Sequence, residues 1–171
     1  IDSFKTYIDY KFNVSKTGYY GWAAIYYFLY EYELMLMKDR GQKKIDWDLF
    51  VKTEKDKITI EHILPQDCSD PYWKKRFGKF KGDKLLRLTN SLGNLLPLSG
   101  SINSSLQNDS FDDKKNIKKD SCGSILRNGY KNGSYSEIEV SQYDDWTPET
   151  IKRRGLILLN FLENRWNIKI G

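Results

Sequence analysis

Lys57-Ile-Thr-Ile-Glu-His-Ile-Leu-Pro65 carries β-branched residues and ends at a proline, so it reads as a short strand. Leu92-Gly-Asn-Leu-Leu-Pro-Leu98 is a second short apolar run bounded by turn residues. Between them, Trp73 to Arg87 is rich in lysine and forms an irregular or helical excursion. After the second run, Ser99 or Ser101 caps a helix that passes through Asn103 and Leu106 and continues to Lys115. The order is therefore strand, insertion, strand, helix, within residues 57–119.

Outward from this centre the chain is helical. In residues 1–56, Tyr19 to Lys38 places Trp22, Ile25, Tyr26, Phe28, Leu29, Tyr32 and Met35 at three- and four-residue steps, as on the buried side of a helix. Gly41 stops it, and Asp46 caps a short helix holding Trp47, Leu49 and Phe50. In residues 120–171, Asn128-Gly129 and Asn132-Gly133 mark turns in a polar stretch expected to loop over the surface. Thr147-Pro148 then starts a last helix, with Ile151, Leu158, Leu159, Phe161, Leu162 and Trp166 on its apolar face. No internal repeat or low-complexity tract is present.

The bulk numbers exclude several classes. The chain has 171 residues, 39% hydrophobic and 30% charged, which is the balance of a soluble globular unit able to bury its own core. Aromatic residues reach 15% and 12 of them are tyrosines, which suit half-buried faces and interfaces. Lys+Arg total 28 against Asp+Glu 23, a net charge of +5 that permits a nucleic-acid partner without requiring one. Two distant cysteines, Cys68 and Cys122, exclude a disulfide framework and a four-cysteine zinc site and fit a reducing cytoplasm. Trp22 to Met37 is the most apolar run, but Glu31 and Glu33 interrupt it and it is too short to span a bilayer. The chain starts at Ile1 without a signal peptide and reads as part of a longer protein.

One histidine, His62, occurs in the whole chain. It follows Glu61 at the end of the first strand and precedes Ile63-Leu64-Pro65-Gln66. Phosphodiester hydrolysis needs a base on water and a cation near the leaving oxygen. Neutral imidazole suits the first task, and a hard carboxylate oxygen suits the second. Side chains of neighbouring strand residues point to opposite faces, so His62 and Glu61 would approach a phosphate from different sides. Asn94 and Asn103, nine positions apart, fall in the second strand and at the start of the next helix. An asparagine oxygen can complete a magnesium site with Glu61, and Asn94 can instead brace the loop carrying His62. Taken singly, both asparagines are as well explained as turn and cap residues.

Read together, these residues resemble an HNH, or ββα-metal, nuclease. Glu61 to Gln66 is similar to the Asp-His-Ile-x-Pro-Gln stretch of the HNH domain in CRISPR effector nucleases, where the acidic residue binds metal and the histidine is the general base. A closer resemblance runs over residues 58–166, to the C-terminal HNH-like domain of GmrSD-type modification-dependent restriction enzymes. It rests on Glu61 to Gln66, Trp73, Leu92 to Leu95, Ser99 to Asn103, Asn108 to Lys115, Trp146 to Arg154 and Trp166. The nuclease domain of phosphorothioate-sensing SspE-type defence proteins is also similar. Ser99 precedes Asn103 by four positions where that family has three, although Ser101 is also available. Against the H-N-H pattern, Glu61 replaces aspartate and Asn103 replaces the last histidine. The second change removes a nitrogen ligand and favours Mg²⁺ or Mn²⁺ over zinc.

The resemblance implies an α+β fold, a mostly helical domain enclosing a small ββα-metal core. It implies His62 as the base, Asn94 as a supporting member of the catalytic set, and Glu61 and Asn103 as metal ligands. It also implies a DNA partner that carries modifications, and an N-terminal ParB-like nucleotide-hydrolysing domain or subunit, since this chain has no P-loop. The activity implied is that of the effector in an anti-phage restriction system. Two basic clusters lie near the site in sequence: Lys74, Lys75, Arg76, Lys79, Lys81, Lys84 and Arg87, and Lys114, Lys115, Lys118 and Lys119. Asn108, Lys114 and Lys115 are the DNA contacts favoured by the family pattern. For any single lysine, a solvated surface role is the ordinary alternative. Two other functions stand beside nuclease: a catalytically silent DNA-binding or scaffolding domain, and a helical module that docks a partner through its aromatic face. Cys68 near His62 raises a Cys-His hydrolase that nothing else supports.

Overall fold

A computed structural model of the chain describes residues 2–38, 40–41 and 57–170. The short helix expected around Trp47 and Phe50 lies outside the described residues. Among those described, the chain is α+β, with eight α-helices and two small antiparallel sheets. Strands β1 (Ile58–His62) and β2 (Leu95–Ser99) pair antiparallel, with Thr59 opposite Leu98, Ile60 opposite Pro97 and Glu61 opposite Leu96. Helices α1 (Asp2–Asn13) and α2 (Ile25–Met37) precede β1. Helices α3 (Pro71–Phe77) and α4 (Asp83–Thr89) and a 3₁₀ turn (Leu92–Asn94) fill the connection between the strands. After β2 come α5 (Gly100–Leu106), α6 (Phe111–Lys115), the short hairpin β3 (Lys118–Lys119) and β4 (Ile125–Arg127), α7 (Tyr135–Ser141) and α8 (Pro148–Trp166).

The β1–β2 ribbon separates two apolar cores. Ile60 and Leu95 belong to one, with Ile8, Tyr19, Phe28, Leu158 and Leu162. Leu96 and Leu98 belong to the other, with Ile63, Trp73, Phe111, Tyr130 and Trp146. Strand alternation sends consecutive side chains to opposite faces, so a two-stranded ribbon can serve both cores only because each face is apolar.

Helix α8 starts as its sequence dictates. Thr147 Oγ1 accepts from the Thr150 N–H at 3.2 Å and Pro148 occupies the first turn. The helix crosses the 3₁₀ turn at a point where side chains are absent. A Cβ on Gly93 would lie 1.9 Å from the Ile151 carbonyl oxygen and 2.7 Å from the Gly155 nitrogen. Arg154, fully buried, donates to the Gly93 and Leu95 carbonyls at 2.8 Å each, which locks α8 to the start of β2.

The structure departs from the sequence expectations in four places. Helix α2 starts at Ile25 rather than Tyr19, because the preceding segment is pinned elsewhere. The Tyr19 N–H donates to the Asn90 carbonyl at 3.0 Å, and Gly18, at φ +50°, packs where a Cβ would lie 2.1 Å from that oxygen. On α2, Met35 is exposed and Glu33 is buried instead. The Glu33 carboxylate accepts from the Tyr135 and Ser136 N–H groups and the Ser136 hydroxyl, at 2.9, 2.8 and 2.6 Å, at the start of α7. The helix expected from Ser99 to Lys115 is two helices. Gln107 takes φ +42°, Ser110 caps α6 by accepting from the Asp113 N–H, and Trp73 Nε1 donates to the Asn108 and Asp109 carbonyls in the gap. The run Gln107-Asn108-Asp109-Ser110 offers the backbone side-chain partners that compete with helix. The polar stretch after Asp120 is also more than surface loop, since Tyr130 and Val140 are fully buried in the core.

Candidate active site

The end of β1 opens into a cavity of about 450 Å³ lined by Glu61, His62, Asp67, Asn103 and Asn108, with Tyr20 at its side. Four of the residues singled out from sequence therefore share one space: Glu61, His62, Asn103 and Asn108.

His62 is nine-tenths buried. Its Nε2 lies 3.1 Å from Asn90 Oδ1, and Asn90 Nδ2 in turn donates to the Lys16 carbonyl at 3.1 Å. That second bond identifies which end of the Asn90 amide is oxygen, so Nε2 must be the N–H donor. In the neutral ring Nδ1 then carries the lone pair. Burial pushes the imidazole below its ordinary range, the Lys114 charge adds to this, and the Asn90 hydrogen bond opposes it. The ring is therefore neutral near pH 7, as a proton acceptor must be. Tyr20 packs against it with ring centroids 4.3 Å apart.

Glu61 is almost fully buried, and Lys114 Nζ donates to its Oε1 at 2.6 Å. The Tyr130 hydroxyl also reaches Oε1, at 3.3 Å. Both side-chain bonds thus arrive at the same oxygen. Burial drives the carboxyl above its ordinary range, and Lys114, Tyr130 and the His62 backbone pull it back only in part. Lys114 also donates to the His62 and Ile63 carbonyls at 3.2 and 3.1 Å, so one ammonium ties together the strand end and the turn after it.

Asn103 projects from α5 toward β1. Its Nδ2 donates to Thr59 Oγ1 at 2.7 Å, while that hydroxyl donates to the Leu98 carbonyl at 3.2 Å. This chain of bonds fixes the amide orientation. Among the described residues, Oδ1 of Asn103 accepts no hydrogen bond.

Asn94 does not face the cavity. It is fully buried in the 3₁₀ turn, one residue before the strand that was expected to hold it. Its Oδ1 accepts from the Leu64 N–H and Trp146 Nε1 at 2.7 and 3.0 Å, and its Nδ2 donates to the Leu64 and Thr89 carbonyls at 3.0 and 2.8 Å. The two bonds to Leu64 brace the turn that follows His62, and those with Trp146 and Thr89 anchor the amide, which makes Asn94 a positioning residue. Lys114 and Lys115, expected from sequence as DNA contacts, are both buried. The break at Gln107 turns α6 inward, and Lys114 is consumed by Glu61 in the core. Lys115 bonds the Tyr143 carbonyl at 3.3 Å and pairs with Asp112 at 3.0 Å. Asn108 stays at the cavity, where its Nδ2 donates to Asp67 Oδ2 and Ser69 Oγ at 3.2 and 3.3 Å.

Sequence reasoning missed Asn90, Tyr20, Asp67 and Tyr130. Nothing local marks Asn90, Tyr20 and Tyr130, which reach the site through contacts distant in sequence, whereas Asp67 follows His62 by five residues. Among the described residues, no group of three or more His, Cys, Asp or Glu is placed to hold a metal ion. The cavity instead offers two carboxylates, Glu61 and Asp67, and, among the described residues, an unpartnered oxygen on Asn103. That donor set suits a hard ion that keeps most of its waters and takes the rest of its ligands from a phosphate.

The family model for GmrSD restriction endonucleases, C-terminal domain, matches residues 9–161. The chain belongs to this family. Membership gives the domain a place among restriction nucleases, and the match extends from α1 through most of α8, well beyond the β1–β2 ribbon. No curated protein and no solved structure matches the chain. Among the described residues, no helix of this GmrSD C-terminal domain is long and apolar enough to cross a membrane.

Proposed function

We propose that the domain hydrolyses DNA phosphodiester bonds as a metal-dependent HNH-type endonuclease or nickase, with His62 as the general base. The observation that carries this reading is a neutral imidazole in one cavity with Glu61 and Asn103, the ring Nδ1 and the Asn103 Oδ1 making no hydrogen bond among the described residues. The chain order β1, β2, α5, with β1 and α5 lining that cavity, supports reading the unit as ββα-metal.

In the proposed reaction, Nδ1 takes a proton from water and the resulting hydroxide oxygen bonds to phosphorus. The P–O bond on the far side breaks, and the departing oxygen takes a proton from solvent. Asn90 holds His62 in the required tautomer, and Tyr20 shields one side of the ring. Glu61 and Asn103 would hold Mg²⁺ or Mn²⁺, which when bound draws charge off the phosphate and the leaving oxygen. The domain acts on DNA, modified bases included, together with an N-terminal ParB-like nucleotide-hydrolysing part, in restriction of phage.

The test is nicking of supercoiled plasmid across a Mg²⁺ and Mn²⁺ titration. The wild-type chain should cut, and His62→Ala should lose about 10²–10⁴-fold in rate, the usual weight of a general base, while still binding DNA. Normal cutting by His62→Ala would remove the mechanism. A wild-type chain that binds DNA but cuts with neither ion would be a silent scaffold, in which the Lys114–Glu61 pair is purely structural.

A further inference from the structure

A second and larger cavity, about 600 Å³, lies between α1, α4 and the first turns of α8. It shares no lining residue with the Glu61–His62 cavity. Lys11, Lys84, Arg87 and Lys152 stand around it, and Phe12 and Phe80 form part of its apolar wall. Its volume is that of a small-molecule site.

The charge around it is unbalanced. Among the described residues, Lys84, Arg87 and Lys152 make no ion pair, although other cations of this chain are matched with carboxylates. Lys11 stacks over the Tyr7 ring, 5.6 Å from its centre, and has no carboxylate either. The one acid in the lining, Glu149, is held below its ordinary range by its own backbone N–H and by Thr147 at the start of α8, with the Lys79 charge adding to this. Lys84, Arg87 and Lys152, lining a cavity that also holds Phe12 and Phe80, match an anion that carries a flat ring. Phosphate oxygens suit Arg and Lys, and a base suits a phenyl face.

We propose that this cavity binds a nucleoside phosphate, with the phosphate on Lys84, Arg87 and Lys152 and the base against Phe12 and Phe80. Two sources share that chemistry: a free nucleotide, and one nucleotide of a DNA strand. The site does not depend on the nuclease reading.

The experiment is fluorescence titration of the full chain carrying His62→Ala, so that no cutting interferes. The probes are a fluorescently labelled adenosine triphosphate and a short labelled single-stranded DNA. The combined variant Lys84→Ala/Arg87→Ala/Lys152→Ala should bind the responsive probe at least about ten-fold more weakly. A control of equal charge loss at exposed lysines outside both basic clusters and this cavity, Lys38→Ala/Lys131→Ala/Lys169→Ala, should bind it as the parent does. Saturable binding of the nucleotide that displaces the strand assigns the site to free nucleotide, and binding of the strand alone assigns it to DNA. If neither probe binds the parent, or if both triple variants weaken binding equally, the proposal is overturned.

Discussion

Lys114→Met separates a structural cation from a DNA contact. The ammonium of Lys114 is fully buried, donates to Glu61 Oε1 at 2.6 Å and also serves the His62 and Ile63 carbonyls. Methionine has similar length and no charge, so packing is largely kept while the carboxylate loses its counter-ion. Removing one partner of a buried pair costs about 3–5 kcal/mol, because the other charge is left unmatched. With an m-value of about 2 kcal/mol/M for a chain of this size, a loss of about 4 kcal/mol lowers the urea midpoint by about 2 M. The assay is urea unfolding followed by the fluorescence of the buried Trp73 and Trp146. Adding Glu61→Gln to the Lys114→Met background should recover more than half of the loss, since the amide no longer needs a cation and can still accept from Tyr130. If Lys114→Met unfolds within about 0.5 M of the wild type, or if Glu61→Gln adds a further loss, the buried pair is not what holds the strand end. A lysine acting on phosphate would behave in the opposite way, with unchanged stability and a weaker, less salt-dependent hold on DNA.

Gly93→Ala should destabilise by roughly 1–3 kcal/mol or more in thermal unfolding, since its Cβ would meet the backbone of α8 and no side chain can move aside; an unchanged Tm would contradict that close approach. Asn94→Ala leaves four buried groups without partners at about 1–3 kcal/mol each and should yield a chain that does not fold at 37 °C, whereas a folded variant with normal near-UV circular dichroism would refute the bracing role. Asn90→Ala should lower the cleavage rate and leave KM for DNA nearly unchanged, and an equal rate would show that the tautomer is set elsewhere. Burial raises the Asp145 carboxyl, but hydrogen bonds from Arg76 and Tyr72 outweigh it and hold the group below its ordinary range. Its stabilisation is therefore present at neutral pH and lost as pH falls through the folded-state value. Asp145→Asn should cost no more than about 1 kcal/mol at pH 7, because the pair is partly exposed, and almost nothing near pH 3; a difference that grows in acid would reverse the sign.

Where one stretch of chain decides its own structure, the sequence could be read. The strand before Pro65 and the Thr147-Pro148 helix start depend on local pattern and lie where the pattern puts them, and the apolar run ending at Leu98 forms a strand only from Leu95, after a 3₁₀ turn. The pairing of the two strands brings Glu61, His62 and, through α5, Asn103 to one cavity, although no single residue announces it. What escaped the sequence depends on tertiary contact. Lys114 looks like the exposed Lys118 and Lys119 in the sequence, and its contact with the buried Glu61 carboxylate distinguishes it. Gln107 breaks a helix whose apolar positions continue, because Trp73 claims the carbonyls beyond it. Tyr20 and Asn90 meet at His62 from positions 70 residues apart, since Gly18 lets the two backbones touch.

Electron paramagnetic resonance of Mn²⁺ added to the chain with a DNA duplex tests the cation site without relying on turnover. The His62→Ala chain should retain one bound ion, and both Glu61→Gln and Asn103→Ala should release most of it. Equal Mn²⁺ uptake by all three variants would mean that these two side chains do not hold the ion, and the hydrolytic assignment would lose its support.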